Sequence, residues 1–184
     1  MTELSLHILD IVQNSIKAGA SLIEIVVDEN IKDNLLTISI SDNGCGMDEE
    51  FLKDVVNPFK TTRTTRKVGM GLSLLKTACE ITGGQLEITS QVGVGTKVNA
   101  TFGYDSIDRQ PIGDMASTMS AIIGGNDKID YVYTRMINND SFVFSTYEIR
   151  KILGEDVALS ELEVLNWIEG YITEQEEILN GGAV

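Results

Sequence analysis

Two runs of β-branched residues set most of what this 184-residue chain can become. LIEIVVD at residues 22–28 and LLTISISD at residues 35–42 are separated only by the polar stretch ENIKDN, so an antiparallel hairpin is the natural way to pair them. Ahead of them apolar residues recur at Leu4, Ile8, Leu9, Ile11, Val12 and Ile16, a helical period that stops at Gly19. Behind them DEEFLKDVV reads as a short helix with acids in its first turn, where they complement the helix dipole. MGLSLLKTACEITG reads as a helix ended by Gly83 and Gly84, and QLEITSQ and TKVNATFGY alternate as strands around VGVG. Helices and hairpins in this order predict an α+β fold, a two-layer α/β sandwich, rather than a parallel α/β sheet.

The chain changes character near residue 104, which predicts two domains, 1–104 and 105–184. The second carries 15 Asp and Glu against 5 Lys and Arg, a net charge of −10, and leaves −4 for the first. It opens on the polar stretch DSIDRQPIGD and continues with a helical run through Met119 and Ile123. A hairpin signal follows, DYVYTRMI and SFVFSTY around NND, and then helical stretches near Tyr147 to Leu153 and Leu159 to Leu179. This small α+β extension has no recognisable motif. Its aromatic residues could dock a partner, pair two subunits as a homodimer or cap the first domain, and packing of a small appended core is the plainer reading.

A net charge of −14 repels phosphate backbones and anionic membranes, so neither nucleic acid nor membrane is expected as a partner. No run of 18 apolar residues occurs, and the start MTELSLHILD carries acid where a signal peptide carries Lys or Arg, so a cytoplasmic protein is expected. Cys45 and Cys79 lack metal-ligand spacing and read as buried or idle thiols, although oxidation of Cys45 would obstruct the loop that holds it. The lone His7 excludes a multi-histidine metal site.

Several short elements carry possible chemistry. His7, Asp10 and Asn14 share one helix face, where the ordinary reading is a solvated stripe. The alternative is that Asn14 offers a neutral oxygen to a hard cation such as Mg²⁺ while Asp10 orients or deprotonates a hydroxyl or water. Asp42-Asn43-Gly44-Cys45-Gly46-Met47 ends a strand, so that a carboxylate can accept from an exocyclic amino group while glycines admit a flat base. Gly69-Met70-Gly71 opens a helix and offers an anion site. The loop before it, NPFKTTRTTRKVG, supplies Lys60, Arg63, Arg66 and Lys67 for phosphate charge. Gly93-Val94-Gly95-Thr96 joins two strands and places a hydroxyl after the turn.

Together these elements resemble the nucleotide-binding domain shared by gyrases, heat-shock chaperones, histidine kinases and mismatch-repair ATPases, the GHKL superfamily with its Bergerat-type fold. DIVQNSIKAGAS resembles the N box, DNGCGM the G1 box, NPFKTT the F box, VGMGLSLLK the G2 box and VGVGTKVNATF the closing glycine-threonine strand, all in family order over residues 4–103. The resemblance implies an ATP site. Asn14 would ligate Mg²⁺, Asp42 would receive the adenine amino group with Thr96 beside it, and Gly44, Gly46 and Met47 would shape the base pocket. Lys17 is similar to a phosphate-facing lysine, or else is a solvated helix charge. Gly69, Met70, Gly71 and Leu72 would approach the triphosphate as a lid from Asn57 to Val68, with Thr61, Thr62 and Lys67, closes. Asp10 falls where several branches place a catalytic glutamate, one methylene longer.

A sensor histidine kinase needs a phospho-acceptor helical hairpin ahead of its ATP domain, and this chain opens at the N box, so autophosphorylation in cis is not expected. His7 is expected to pack or hydrogen-bond. KTTRTTRKVGMGLSLL resembles the lid and G2 box of anti-sigma serine kinases and of the nitrogen-regulator histidine kinases, whereas QNSIKAGAS is similar to the mismatch-repair and gyrase N box. The resulting expectation is a stand-alone, Mg²⁺-dependent regulatory kinase that transfers the ATP γ-phosphate to a partner regulatory protein. An ATP-gated binding switch with little turnover and a weak ATPase are the rival readings.

Overall fold

The computed structural model describes residues 2–56 and 70–181. In chain order the elements are α1 (Leu4–Lys17), β1 (Leu22–Asn30), β2 (Leu35–Asp42), α2 (Glu49–Val55), α3 (Gly71–Glu80), β3 (Leu86–Gln91) and β4 (Gly95–Gly103). They continue with α4 (Met115–Gly125), β5 (Asp130–Ile137), β6 (Asp140–Ser145), α5 (Thr146–Leu153) and α6 (Leu162–Leu179). The α+β sandwich expected from the patterning is the observed architecture. Strand residues alternate between buried and accessible, with Ile23, Ile25 and Val27 of β1 and Leu36, Ile38 and Ile40 of β2 turned to the helices. The β1–β2 and β5–β6 hairpins turn through Asn34 (φ 54°) and Asn138 (φ 52°), a left-handed geometry that asparagine tolerates better than most residues.

The division expected at residue 104 interrupts neither the sheet nor the core. β5 runs parallel to β1, with Ile25 opposite Tyr133, and the six strands form one sheet in the order β3-β4-β2-β1-β5-β6. Every other strand pair is antiparallel. Tyr131, Tyr133 and Phe144 are buried in the same apolar cluster as Ile23, Ile25 and Leu4. The extension is thus a second part of one layer, with α4 packed on α1 and on α6.

The segment between β4 and α4 also completes the first helix. Glu3, the residue before α1, makes no side-chain cap bond, yet the Leu4 N–H donates to the Pro111 carbonyl at 2.9 Å and the Ser5 N–H to the Ile112 carbonyl at 2.8 Å. Two amides that a helix start leaves unpaired are thereby satisfied from 107 residues away. Arg109 holds this segment in place, donating from Nε to the Tyr104 carbonyl at 2.6 Å with its guanidinium over the Tyr104 ring. A nearly buried ion pair crosses between the halves as well, Arg135 of β5 to Glu29 of β1 at 3.2 Å. Cys79 is buried, which pushes its thiol up to about 12, whereas Cys45 departs from the expected burial and is exposed. Among the described residues no helix is long and apolar enough to cross a membrane.

Candidate functional site

A cavity of about 360 Å³ opens where α1, α3 and the ends of β2 and β4 meet. Seven of the residues singled out from the sequence line it: Asn14, Lys17, Asp42, Gly46, Met47, Leu72 and Thr96. Its apolar surface comes from Ile11, Ile40 and Val98, inward positions that also feed the core, and from the half-buried Phe51 of α2. A narrow polar end on an apolar slot is the usual construction of a small-molecule site.

The polar end is built by strand register. Asp42, last in β2, is the direct partner of Thr96 in β4, so both side chains leave the sheet on the same face. The Asp42 carboxylate is fixed through both oxygens, Oδ2 accepting from the Ser15 hydroxyl at 2.6 Å and Oδ1 from the Gly44 N–H at 2.9 Å. Ser15 is buried on α1, one residue after Asn14, so the helix that lines the cavity also aims its carboxylate. The loop after Asp42 is clamped to the β3–β4 hairpin. Gly46 has φ +69°, and a Cβ there would lie 2.0 Å from the Gln91 carbonyl oxygen, so no other residue fits without moving the hairpin. The Met47 N–H donates to Ser90 Oγ at 2.8 Å, and Ser90 Oγ lies 2.8 Å from Thr96 Oγ1. Asp48 then caps α2 by accepting from the Phe51 N–H at 2.7 Å, which seats Phe51 at the cavity wall.

Asp10 approaches from α1. A Cβ on Gly71 would lie 1.5 Å from Asp10 Oδ2, so the carboxylate occupies the space that glycine leaves at the first residue of α3. The dipole of a helix start favours negative charge at that place. Met70, just before it, is largely exposed, and Lys17 is exposed at the cavity rim. Thr61, Thr62, Lys67 and Gly69 lie outside the described residues.

His7 does not join this site, although it shares the helix face of Asp10 and Asn14. It is 3% exposed, its Nε2 meets Gln110 Oε1 at 3.1 Å, and burial holds its pKa below the ordinary histidine value. The expected packing role is the one it has. Ser15, Ser90 and Phe51 are the site residues that sequence reasoning missed. A hairpin register drawn from VGVG would have set Ser90 opposite Thr96.

An acceptor-lined apolar slot at two strand ends, with a helix start and an acidic side chain across from it, defines the class: a nucleotide-binding sandwich of the GHKL type. The chain belongs to the histidine kinase-, DNA gyrase B-, and HSP90-like ATPase family, whose pattern matches residues 2–106. A Shewanella frigidimarina protein described as a sensor is 35% identical over 97 residues, 52% of this chain and 15% of that one. The histidine protein kinase DivJ of Caulobacter vibrioides is 29% identical over 96 residues, 50% of this chain and 16% of that one. The chain therefore corresponds to a small part of the length of either relative. The N-terminal domain of a DNA repair protein shares the fold with TM-score 0.56 at 20% identity, over 84% of this chain and 58% of that one.

Proposed function

We propose that this protein is a Mg²⁺-dependent ATP-binding regulatory kinase of the cytoplasm that passes the γ-phosphate to a partner protein. The observation that carries the reading is Asp10 held against Gly71 at the start of α3, one helical turn from Asn14 of the cavity wall. A carboxylate there stands at the phosphate end of a nucleotide whose base occupies the Asp42 end.

Each residue then has a chemical task. Asp42 accepts from the adenine amino group, and Ile11, Met47, Phe51 and Val98 pack the base. The amide oxygen of Asn14, a neutral hard donor beside phosphate oxygens, fits Mg²⁺ chemistry, and the ion when bound neutralises phosphate charge. Lys17 supports the phosphates electrostatically from the rim. Asp10 takes the proton of the incoming hydroxyl as it attacks the γ-phosphorus, the bond to the bridging β-phosphate oxygen breaks and ADP leaves. Lys67, Thr61, Thr62 and Gly69 enter through the family resemblance, as lid and phosphate contacts.

The test is label transfer from γ-labelled ATP in the presence of Mg²⁺, with and without whole-cell protein as acceptor, for wild type and Asp10→Asn. Labelled acceptor protein with wild type, lost in the variant while ATP affinity stays, is the expected result. Transfer that survives Asp10→Asn overturns the assignment of the base. ATP binding with neither transfer nor phosphate release replaces the kinase by a nucleotide-gated switch.

A further inference from the structure

The Ser90 hydroxyl has three neighbours and they leave its proton only one place. It lies 3.0 Å from the Gly95 carbonyl, 2.8 Å from the Met47 N–H and 2.8 Å from Thr96 Oγ1. A serine hydroxyl offers one proton and two lone pairs. The Gly95 carbonyl can only accept and the Met47 amide can only donate. All three contacts are satisfied together only when Ser90 donates to Gly95, accepts from Met47 and accepts from Thr96. The Thr96 proton is then spent inside the hairpin, and Thr96 Oγ1 faces the cavity with lone pairs alone.

We propose that Ser90 is a positioning residue for base selection: by taking the Thr96 proton it makes this end of the cavity accept only, and so selects a 6-amino purine over a 6-oxo purine. The inference rests on the ATP-binding reading and specifies how that site recognises its base. Asp42, the register partner of Thr96, is acceptor-only as well, and its two oxygens already take protons from Ser15 and Gly44. Two adjacent acceptors with no donor between them match an exocyclic amine, which brings two protons on one nitrogen. A 6-oxo group in that position sets oxygen against oxygen and brings no proton to either acceptor.

The measurement is the affinity for ADP and for IDP, which differ at that position, by calorimetry with wild type, Ser90→Ala, Ser90→Thr and Thr96→Val. Wild type is expected to prefer ADP, and Ser90→Ala to lower the ADP-to-IDP preference by about tenfold, the worth of one well-placed hydrogen bond. The preference falls because the freed Thr96 proton can turn into the cavity and meet a 6-oxo group. Ser90→Thr restores it, and in the Thr96→Val background Ser90→Ala leaves the ratio unchanged. Equal loss of ADP and IDP affinity in Ser90→Ala, or a change of ratio that persists without Thr96, overturns the proposal and leaves Ser90 a structural clamp. Wild-type binding of both nucleotides with equal affinity also overturns it, while binding of neither removes the ATP-binding reading itself.

Discussion

The first four strands and the last two treat their polar groups in opposite ways. In the nucleotide half, Asp42 and Thr96 are held by Ser15, Gly44 and Ser90 and line a cavity. In the extension, charged groups close on one another. Arg135 reaches Glu29 at 3.2 Å and Glu176 at 3.9 Å, and the Tyr133 hydroxyl donates to Glu176 at 2.5 Å. Burial raises the Glu176 pKa and the Tyr133 hydroxyl partly offsets it. One half lines a cavity with its polar groups, and the other pairs its polar groups within the protein. The helix that lines the cavity is nonetheless capped at its start by Pro111 and Ile112, beyond the matched family segment.

The sharpest way to break this contrast is to remove the extension. A chain ending at Tyr104 loses the β5 partner of β1, the α4 cover of α1 and the carbonyls that satisfy Leu4 and Ser5, so cooperative unfolding should vanish from its thermal melt. A folded, nucleotide-binding fragment would show the two halves to be independent. Next in size, Arg135→Met leaves the buried Glu29 carboxylate and the half-buried Glu176 without their cation. It should cost about 3–5 kcal/mol in urea unfolding, with ATP affinity unchanged once the folded fraction is accounted for.

The mirror experiment is Asp42→Asn. It keeps the shape of the side chain but sets an N–H₂ where a carboxylate oxygen met the base. Affinity for ATP should fall by about 100-fold, from loss of a charge-assisted hydrogen bond, with little change in melting temperature. A variant that unfolds instead would move Asp42 from recognition to structure. The smallest effect belongs to His7, which touches both halves through Gln110. Its folded pKa lies below 6.5, so the unfolded chain binds the proton first and stability, complete above about pH 6.5, is lost as pH falls toward the folded value. Melting temperature should decline from pH 7 to 5, and His7→Gln should flatten that slope. Equal slopes would remove His7 from the acid response.

Much of this was legible in the sequence, and what was hidden has physical causes. Helical and strand periods are local, so α1, α3 and the three hairpins could be read from apolar spacing, and five ordered boxes placed Asn14, Asp42, Gly46, Met47, Leu72 and Thr96 around one cavity. The parallel pairing of β1 with β5 was not readable, because a strand carries no local mark of a partner a hundred residues away. DSIDRQPIGD read only as a polar stretch because it caps α1 through backbone carbonyls, which any residue supplies. Ser15 and Ser90 were overlooked for a similar reason. A single hydroxyl among polar neighbours gains its role only from register, as Ser90 does opposite Thr96. On the polar stripe of α1, His7 meets Gln110 as its expected packing role requires, while Asp10 lies against Gly71 and Asn14 lines the cavity.

Asn14 lines the cavity of a chain whose residues 2–106 match the ATPase family, and its proposed role is to hold Mg²⁺ for ATP. It is tested most directly by calorimetry of ATP binding with and without Mg²⁺, for wild type and Asn14→Ala. Binding that tightens with Mg²⁺ in wild type, and loses that Mg²⁺ dependence in the variant while the melting temperature holds, is the expected result. Absence of binding in the folded wild-type protein, or the same Mg²⁺ dependence in both proteins, would contradict it.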